Sequence, residues 1–167
     1  MTASPEFPIR KTVIEPGAEA PQFVLPAVAT DGSRFDFDLA AEAAALKRLI
    51  LVFYQDDGMP VCTSELKAFA QEHETLTGAG MAVAAINTNG LGSHEKFQER
   101  DAFPFPLISD FYGEAIKQYG FWDADERKSR RGGVVVDGSR RVEYVVPHFN
   151  PGNIAAFEDI FRALGLV

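Results

Sequence analysis

The feature that most constrains the fold of this sequence is an apolar run over residues 49–54, followed by a turn and then by a pattern of helical period. The run is rich in β-forming residues and is bounded by Lys47 and Arg48 before it and by an Asp/Gly/Pro cluster after it. A short, continuous apolar run of this kind is typical of a strand buried on both faces of a sheet. The sequence therefore predicts a central strand that other elements cover on both sides.

The only cysteine of the chain, Cys62, lies at the junction between this strand and the following helix. Beyond the turn, Leu66, Phe69 and Leu76 recur at helical spacing, and two glycines after them stop the pattern. Free N–H groups and the positive end of the helix dipole stabilise a thiolate over a thiol at such a position. We therefore expect the pKa of Cys62 to lie below that of an ordinary thiol.

The remaining sequence alternates strands and helices in the order β-β-α-β-α-β-α-β-α-β-β-α, an α/β pattern within one domain. The predicted elements are a hairpin over residues 22–39, a short Ala-rich helix over 40–46, the central strand over 49–54, the cysteine helix up to residue 78, a buried strand over 81–86, a helix to about 101, a strand over 104–108, a helix over 112–119, a second hairpin over 132–146 and a C-terminal helix after Asn150 and Pro151.

Three local signals refine this prediction. Ser93 is a suitable N-cap for the helix that runs to about residue 101, and Asp110 is suitable for the next helix. Pro104 and Pro106 place the intervening strand at an edge of the sheet, because proline cannot donate to a ladder. Residues 1–15 are rich in Pro and Glu without a period and are expected to form an N-terminal arm.

Charge and cysteine content exclude several classes of protein. The net charge of −8 argues against nucleic acid or an anionic membrane as partner, since both attract basic surfaces. One cysteine permits neither an intramolecular disulfide nor a C-x-x-C redox pair. His73, His94 and His148 have no spacing that suggests a metal site, so we expect no metal and no cofactor. The N-terminus lacks the features of a signal peptide, which makes the cytoplasm the expected location.

Three further segments have an informative order and spacing. Residues 16–26 read PGAEAPQFVLP, residues 105–110 read FPLISD and residues 131–137 read RGGVVVD. Together with Cys62 they resemble the peroxiredoxins, a family of thiol peroxidases, over most of the chain. The resemblance implies a single thioredoxin-like domain over residues 16–167. Its fold would be a three-layer α/β/α sandwich with a mixed central sheet and an N-terminal β-hairpin.

The resemblance also implies roles for individual residues. Cys62 would be the nucleophile that attacks a peroxide and becomes a sulfenic acid. Arg131 would activate the thiolate and the peroxide, and Glu65 would help to hold the arginine. A register slip of one residue would place Arg130 at the thiol instead. The residues expected to contact the substrate are Met59, Pro60 and Val61.

The sequence departs from the Pro-x-x-x-Thr-x-x-Cys signature of that family in two positions: Gln55 replaces the proline and Met59 replaces the threonine. Two functions therefore stay open. One is a one-cysteine thiol peroxidase that reduces hydrogen peroxide or organic hydroperoxides with an external thiol reductant. The other is a peroxiredoxin-fold protein without efficient peroxidase activity that acts as a redox sensor or binding module. In either case the resemblance implies a homodimer.

Overall fold

The computed structural model describes residues 7–149 and 154–166, and for residues 154–157 it describes the backbone alone. In chain order the elements are β1 (Val24–Val28), β2 (Arg34–Asp38), α1 (Leu39–Ala44), β3 (Arg48–Phe53), α2 (Pro60–Gln71), α3 (His73–Gly78), β4 (Met81–Asn87), α4 (Leu91–Asp101), β5 (Leu107–Ser109), α5 (Glu114–Tyr119), β6 (Trp122–Asp123), β7 (Lys128–Ser129), β8 (Gly132–Asp137), β9 (Val142–Val146) and α6 (Ile154–Ala163).

Within the described residues, seven strands form one mixed sheet in the order β2-β1-β5-β4-β3-β8-β9. The central strand β3 pairs with β4 in parallel and with β8 in antiparallel orientation. Strands β1 and β2 form the N-terminal hairpin, and β1 pairs antiparallel with β5. The predicted α/β fold with a mixed central sheet and an N-terminal hairpin is confirmed.

Helices cover both faces of the sheet because successive side chains of β3 point to opposite sides. Leu51 and Phe53 belong to the cluster that packs beneath α1 and α5. Ile50 and Val52 belong to the other cluster, which contains Cys62 and is covered by α2, α3, α4 and α6. The sheet therefore lies between two helical layers. Among the described helices, none is long and apolar enough to cross a membrane.

The prediction of an edge strand at residues 104–108 was wrong. Strand β5 starts at Leu107, after both prolines, and lies between β1 and β4 in the interior of the sheet. Pro106 lacks an N–H group, but its carbonyl oxygen accepts a hydrogen bond from the backbone N–H of Ala85 at 3.1 Å. The prolines therefore remove no ladder donor from the strand itself.

The prediction of Ser93 as a helix cap was also wrong. Helix α4 begins at Leu91, and Gly90 is its N-cap without a side-chain hydrogen bond. Ser93 lies in the first turn, and its hydroxyl donates to Asp57 at 2.7 Å. Its side chain therefore serves the loop that precedes Cys62 rather than its own helix end.

The helix after β5 starts later than predicted. Helix α5 begins at Glu114, and Gly113 is its N-cap. Asp110 nevertheless contributes to the helix start, because its carboxylate accepts a hydrogen bond from the backbone N–H of Ile116 at 2.8 Å.

Gly120 ends the helix with φ of 82°, and a Cβ there would lie 2.1 Å from the carbonyl oxygen of Thr12. Glycine is thus required at the end of α5 by both conformation and space.

Two other features differ from the predicted elements. The cysteine helix is divided at Glu72 into α2 and α3. A short hairpin of β6 and β7, absent from the prediction, lies between α5 and β8. The predicted cap at Asn150 and Pro151 lies outside the described residues.

Candidate active site

Cys62 is the third residue of helix α2, as the sequence predicted for a cysteine at a strand-to-helix junction. Pro60 is the first helical residue, where its fixed φ and missing N–H suit a helix start. Met59 is the N-cap in an extended conformation and makes no side-chain cap hydrogen bond. The Cys62 side chain is fully buried, with 0% of its surface exposed.

The pKa of the Cys62 thiol is raised above its ordinary value, and our expectation of a lowered pKa was wrong. Burial is the main cause, because the thiolate loses its hydration. The backbone N–H groups of Asp56 and Gln55 oppose this effect by donating to the sulfur. The charge of Glu65 raises the pKa further, and the charge of Arg131 lowers it. A helix N-terminus therefore does not ensure an acidic thiol when the sulfur is buried.

Arg131 immediately precedes β8, the strand that pairs with β3. Its positive charge lowers the pKa of both Cys62 and Glu65, so the structure brings these three residues together. Arg130 is exposed, and its backbone N–H donates to the carbonyl oxygen of Phe121 at 2.7 Å. Of these two arginines, Arg131 is therefore the one whose charge acts on the thiol.

Glu65 follows Cys62 by three residues on the same helix, and both of its carboxyl oxygens are buried. Neither oxygen accepts a hydrogen bond from a described residue, and no described cation lies within ion-pair distance. Burial raises the pKa of Glu65 to about 8, against the lowering effect of Arg131. Glu65 is therefore mostly protonated at pH 7 and does not hold Arg131 by a direct hydrogen bond.

The three residues expected to meet the substrate form the start of α2. Pro60 is exposed, while Met59 and Val61 are partly buried. The sulfur of Cys62 lies 3.7 Å from the thioether sulfur of Met59. A thioether is only a weak acceptor and donates no hydrogen bond. At the position of the family's threonine hydroxyl, the thiol of this protein therefore meets a second sulfur.

Asp56 precedes the helix and is neutralised by a cation from the β6–β7 hairpin. The Nζ atom of Lys128 lies 2.7 Å from the Asp56 carboxylate. The side-chain hydrogen bond to Asp56 raises the pKa of Lys128, and the charges of Asp56, Glu126 and Cys62 add to this effect. Lys128 is thus a second cation close to the thiol, and it was not predicted from the sequence.

Asp57 is part of a buried network that the sequence also did not predict. Its carboxylate lies 2.6 Å from Nδ1 of His94 and accepts hydrogen bonds from Tyr54 and Ser93, each at 2.7 Å. Nε2 of His94 faces the carbonyl oxygen of Ile108 at 3.0 Å. Both ring nitrogens of His94 therefore lie within hydrogen-bond distance of an oxygen atom.

This network explains the ionisation of Asp57. Burial alone would raise the pKa of Asp57, but the hydrogen bond and the charge of His94 hold it below the ordinary value. The hydroxyl groups of Tyr54 and Ser93 contribute in the same direction. Neither Asp56 nor Asp57 therefore presents an unpaired negative charge to the thiol. Among the described residues, no group of three His, Cys, Asp or Glu side chains is placed to hold a metal ion.

Comparison with known proteins supports the resemblance of the sequence. Residues 16–145 match the model of the AhpC/TSA family. A protein of Coxiella burnetii named putative peroxiredoxin bcp is 35% identical over 107 residues, which cover 64% of this chain and 67% of that protein. A putative peroxiredoxin of Entamoeba histolytica is 27% identical over 136 residues, 77% of this chain and 58% of that protein.

Solved structures share the fold at lower sequence identity. The reduced 2-Cys peroxiredoxin of Plasmodium vivax superposes with a TM-score of 0.79 at 22% identity, covering 91% of this chain and 97% of that one. Mycobacterium tuberculosis AhpC gives a TM-score of 0.76 at 18% identity, with 92% and 99% covered. The fold is thioredoxin-like, as predicted. Because the family model matches most of its length, this chain belongs to the AhpC/TSA family, the family of the peroxiredoxins.

Proposed function

We propose that this protein is a thiol peroxidase that reduces hydrogen peroxide or organic hydroperoxides through Cys62. The observation that carries the proposal is the convergence of positive groups on one buried sulfur. Two backbone N–H groups, from Asp56 and Gln55, donate to it, and the charge of Arg131 favours its thiolate. Such an arrangement stabilises negative charge that appears on the sulfur and then moves to the leaving oxygen.

In the proposed reaction the Cys62 thiolate attacks one oxygen of the peroxide. A sulfur–oxygen bond forms, the oxygen–oxygen bond breaks, and its electron pair leaves with the second oxygen, which takes a proton to give water or an alcohol. The sulfur becomes a sulfenic acid. Because Glu65 is mostly neutral at pH 7, the charge of Arg131 is available to the thiolate and to the departing oxygen.

The reductant in this proposal is an external thiol. The chain contains one cysteine, so the sulfenic acid has no second cysteine in the same chain with which to form a disulfide. A thiol from outside would attack the oxidised sulfur, release water and form a mixed disulfide. A second thiol would then regenerate Cys62.

A redox sensor or binding module without efficient turnover is the second candidate. Two observations favour it: the pKa of Cys62 is raised, and its side chain is fully buried. A smaller fraction of thiolate reacts more slowly, and a peroxide has to displace covering side chains to reach the sulfur. A redox sensor predicts oxidation of Cys62 without sustained consumption of peroxide, and a binding module predicts no fast oxidation of Cys62.

Steady-state peroxide consumption with dithiothreitol as reductant separates the two candidates. The peroxidase proposal expects many turnovers per chain, loss of activity in Cys62→Ser and reduced activity in Arg131→Ala. Arg130→Ala is the matched control and should leave the activity unchanged. Oxidation of Cys62 once per chain, without further turnover, would favour the sensor. No oxidation of Cys62 at all would overturn the peroxidase and the sensor and would favour the binding module.

Titration of the thiol tests the same arginine independently of turnover. Removing the charge of Arg131 should raise the pKa of Cys62 further, since this charge favours the thiolate. Thiolate absorbance against pH in Arg131→Ala and Arg130→Ala gives the comparison. A shift in Arg130→Ala alone would show that the assignment is wrong by one residue.

A further inference from the structure

We propose that Met59 is an internal reductant for oxidised Cys62. In this reaction the sulfenic acid of Cys62 oxidises the Met59 thioether to a sulfoxide, and Cys62 returns to the thiol. The inference rests on the proposed function, because it requires the Cys62 sulfenic acid. It adds a modification site and a second fate for the oxidised enzyme that do not depend on an external thiol.

The geometry that carries the inference is the sulfur–sulfur contact at the start of α2. The Cys62 and Met59 sulfurs are 3.7 Å apart, and a sulfur–sulfur bond measures about 2.0 Å, so bond formation requires an approach of about 1.7 Å. The Met side chain is unbranched with three rotatable bonds and can supply this movement. Its backbone is fixed meanwhile, since the Met59 carbonyl accepts from the N–H of Thr63 at 2.8 Å.

The chemistry of the two sulfurs is complementary. A sulfenic acid sulfur is electrophilic and is attacked by a thiol when one is near. Here the chain has no second cysteine, and the side chain that touches Cys62 ends in a polarizable thioether. Met59 is also only partly buried, so part of the residue is in contact with solvent. The thioether of Met59 is thus a sulfur nucleophile already in contact with the atom that is oxidised.

The reaction balances in two steps. First, the Met59 sulfur attacks the Cys62 sulfur; a sulfur–sulfur bond forms, and the sulfenic hydroxyl takes a proton and leaves as water, which gives a thiosulfonium. Second, a water oxygen attacks the Met59 sulfur, the sulfur–sulfur bond breaks and its electron pair returns to Cys62. Of the two protons of this water, one goes to the Cys62 sulfur and the other is released to solvent. Cys62 gains two electrons and Met59 loses two. The sulfoxide oxygen therefore comes from solvent and not from the peroxide.

Peptide mass spectrometry after one equivalent of hydrogen peroxide, without added thiol and in water enriched in oxygen-18, tests this route. Met81 is the internal control, since it lies at the first residue of β4, paired with Arg48 at the end of β3 away from the Cys62 loop. We expect roughly tenfold or more sulfoxide on Met59 than on Met81, as an oriented intramolecular partner outcompetes a bimolecular reaction. The oxygen should be oxygen-18, and Cys62 should remain alkylatable.

Two variants complete the experiment. Cys62→Ser should reduce Met59 oxidation to the level of Met81. Met59→Leu, which conserves volume, should leave Cys62 as a sulfenic acid that a dimedone-type reagent traps in higher yield than in the parent.

Trapping of the sulfenic acid in the parent without Met59 sulfoxide would overturn the inference and leave the proposed function standing. Sulfoxide carrying peroxide oxygen, or formed equally in Cys62→Ser, would also overturn it. Absence of any Cys62 oxidation would overturn the inference together with the proposed function.

Discussion

The sulfur of Cys62 lies in a site where burial disfavours the thiolate and nearby positive groups favour it. Two amide donors and Arg131 act against burial, but they do not reverse its effect on the pKa. Met59, at the start of the same helix, offers neither charge nor a hydrogen-bond donor. At the scale of residues, the reactivity of Cys62 is therefore set by what surrounds the sulfur more than by its position in the helix.

Met59→Thr should accelerate the oxidation of Cys62. A hydroxyl at this position would be an oriented donor to the peroxide, and one such donor in a water-poor site is worth about 10²–10³ in rate. Stopped-flow measurement of Cys62 oxidation by hydrogen peroxide, at matched pH, gives the comparison. Because Gln55 has also changed in this loop, the variant Met59→Thr with Gln55→Pro belongs in the series. If neither variant reacts faster than the parent, another group orients the peroxide.

Glu65→Gln should change how stability depends on pH. The pKa of Glu65 is raised in the folded protein to about 8, so the folded state binds this proton more tightly than the unfolded state. Its contribution to stability is therefore fully present below the unfolded pKa, about 4.5, and is lost as pH rises towards 8. One such proton changes the free energy of unfolding by at most ~1.4 kcal/mol per pH unit.

Urea denaturation between about pH 5 and 8 tests this prediction. The range starts at about pH 5 because Glu65 contributes no pH dependence below the pKa that it has in the unfolded chain. The free energy of unfolding of Glu65→Gln should fall less steeply with pH than that of the parent. Asp110, whose burial raises its pKa to about 6, contributes a similar slope to both proteins and cancels from the difference. Parallel curves for the two proteins would contradict the assignment of a buried, protonated Glu65.

At the scale of elements, the loop between β3 and α2 is fixed by helix α4. Asp57 in the loop and His94 in α4 form a buried pair with 2.6 Å between the carboxylate and Nδ1, and the side chain of His94 is 0% exposed. The loop therefore keeps one conformation in front of Cys62, with Asn89 accepting from the Asp57 N–H at 2.7 Å. The position of the two amide donors to the sulfur depends on this anchoring.

His94→Ala should destabilise the protein by about 3–5 kcal/mol, the usual cost of leaving one partner of a buried pair without the other. The neighbouring substitution Ser93→Ala removes one hydrogen bond to the same carboxylate and should cost only about 1 kcal/mol. Free energies of unfolding in urea at neutral pH provide both values. Equal costs for the two variants would mean that His94 is not the charge partner of Asp57.

The elements around Cys62 could be predicted from sequence because their signals are local. The apolar run of β3, the proline at the start of α2 and the helical spacing after it lie within one stretch of chain. The pair of Asp57 and His94 could not be predicted, since the two residues are 37 positions apart and neither neighbourhood has a distinctive pattern. The interior position of β5 was missed because its neighbour β1 lies far from it in the sequence, with Val28 paired to Leu107.

The candidate site was predictable to a similar extent. The order of motifs placed Cys62, Glu65 and Arg131 in one region, and the structure brings them together. The raised pKa of Cys62 and the protonation of Glu65 depend on burial, which helical spacing does not reveal. Lys128 was missed because its short hairpin has no strong strand signal.

At the scale of the whole molecule, residues from distant parts of the chain meet at one end of β3. The loop and α2 supply the thiol and its amide donors, the start of β8 supplies Arg131, and the β6–β7 hairpin supplies Lys128.

The described surface also carries an exposed aromatic pair, Phe111 and Tyr112, with ring centroids 5.2 Å apart. Exposed apolar side chains that lie together are typical of contact surfaces.

The homodimer implied by the family resemblance is a prediction that light scattering after size exclusion can check. We expect a mass of two chains, and we expect Phe111→Ser with Tyr112→Ser to shift the protein towards the monomer. Ile9→Ser, which changes another exposed apolar residue, is the control and should leave the mass unchanged. A parent with the mass of one chain at micromolar concentration would contradict the prediction.

The most direct test of the central claim, that Cys62 is the peroxide-reactive group, is intact-mass spectrometry of the reduced protein after one equivalent of hydrogen peroxide. The parent should gain the mass of one oxygen, and Cys62→Ser should gain none under the same conditions. A parent that remains unmodified, or a gain of the same size in Cys62→Ser, would contradict the account.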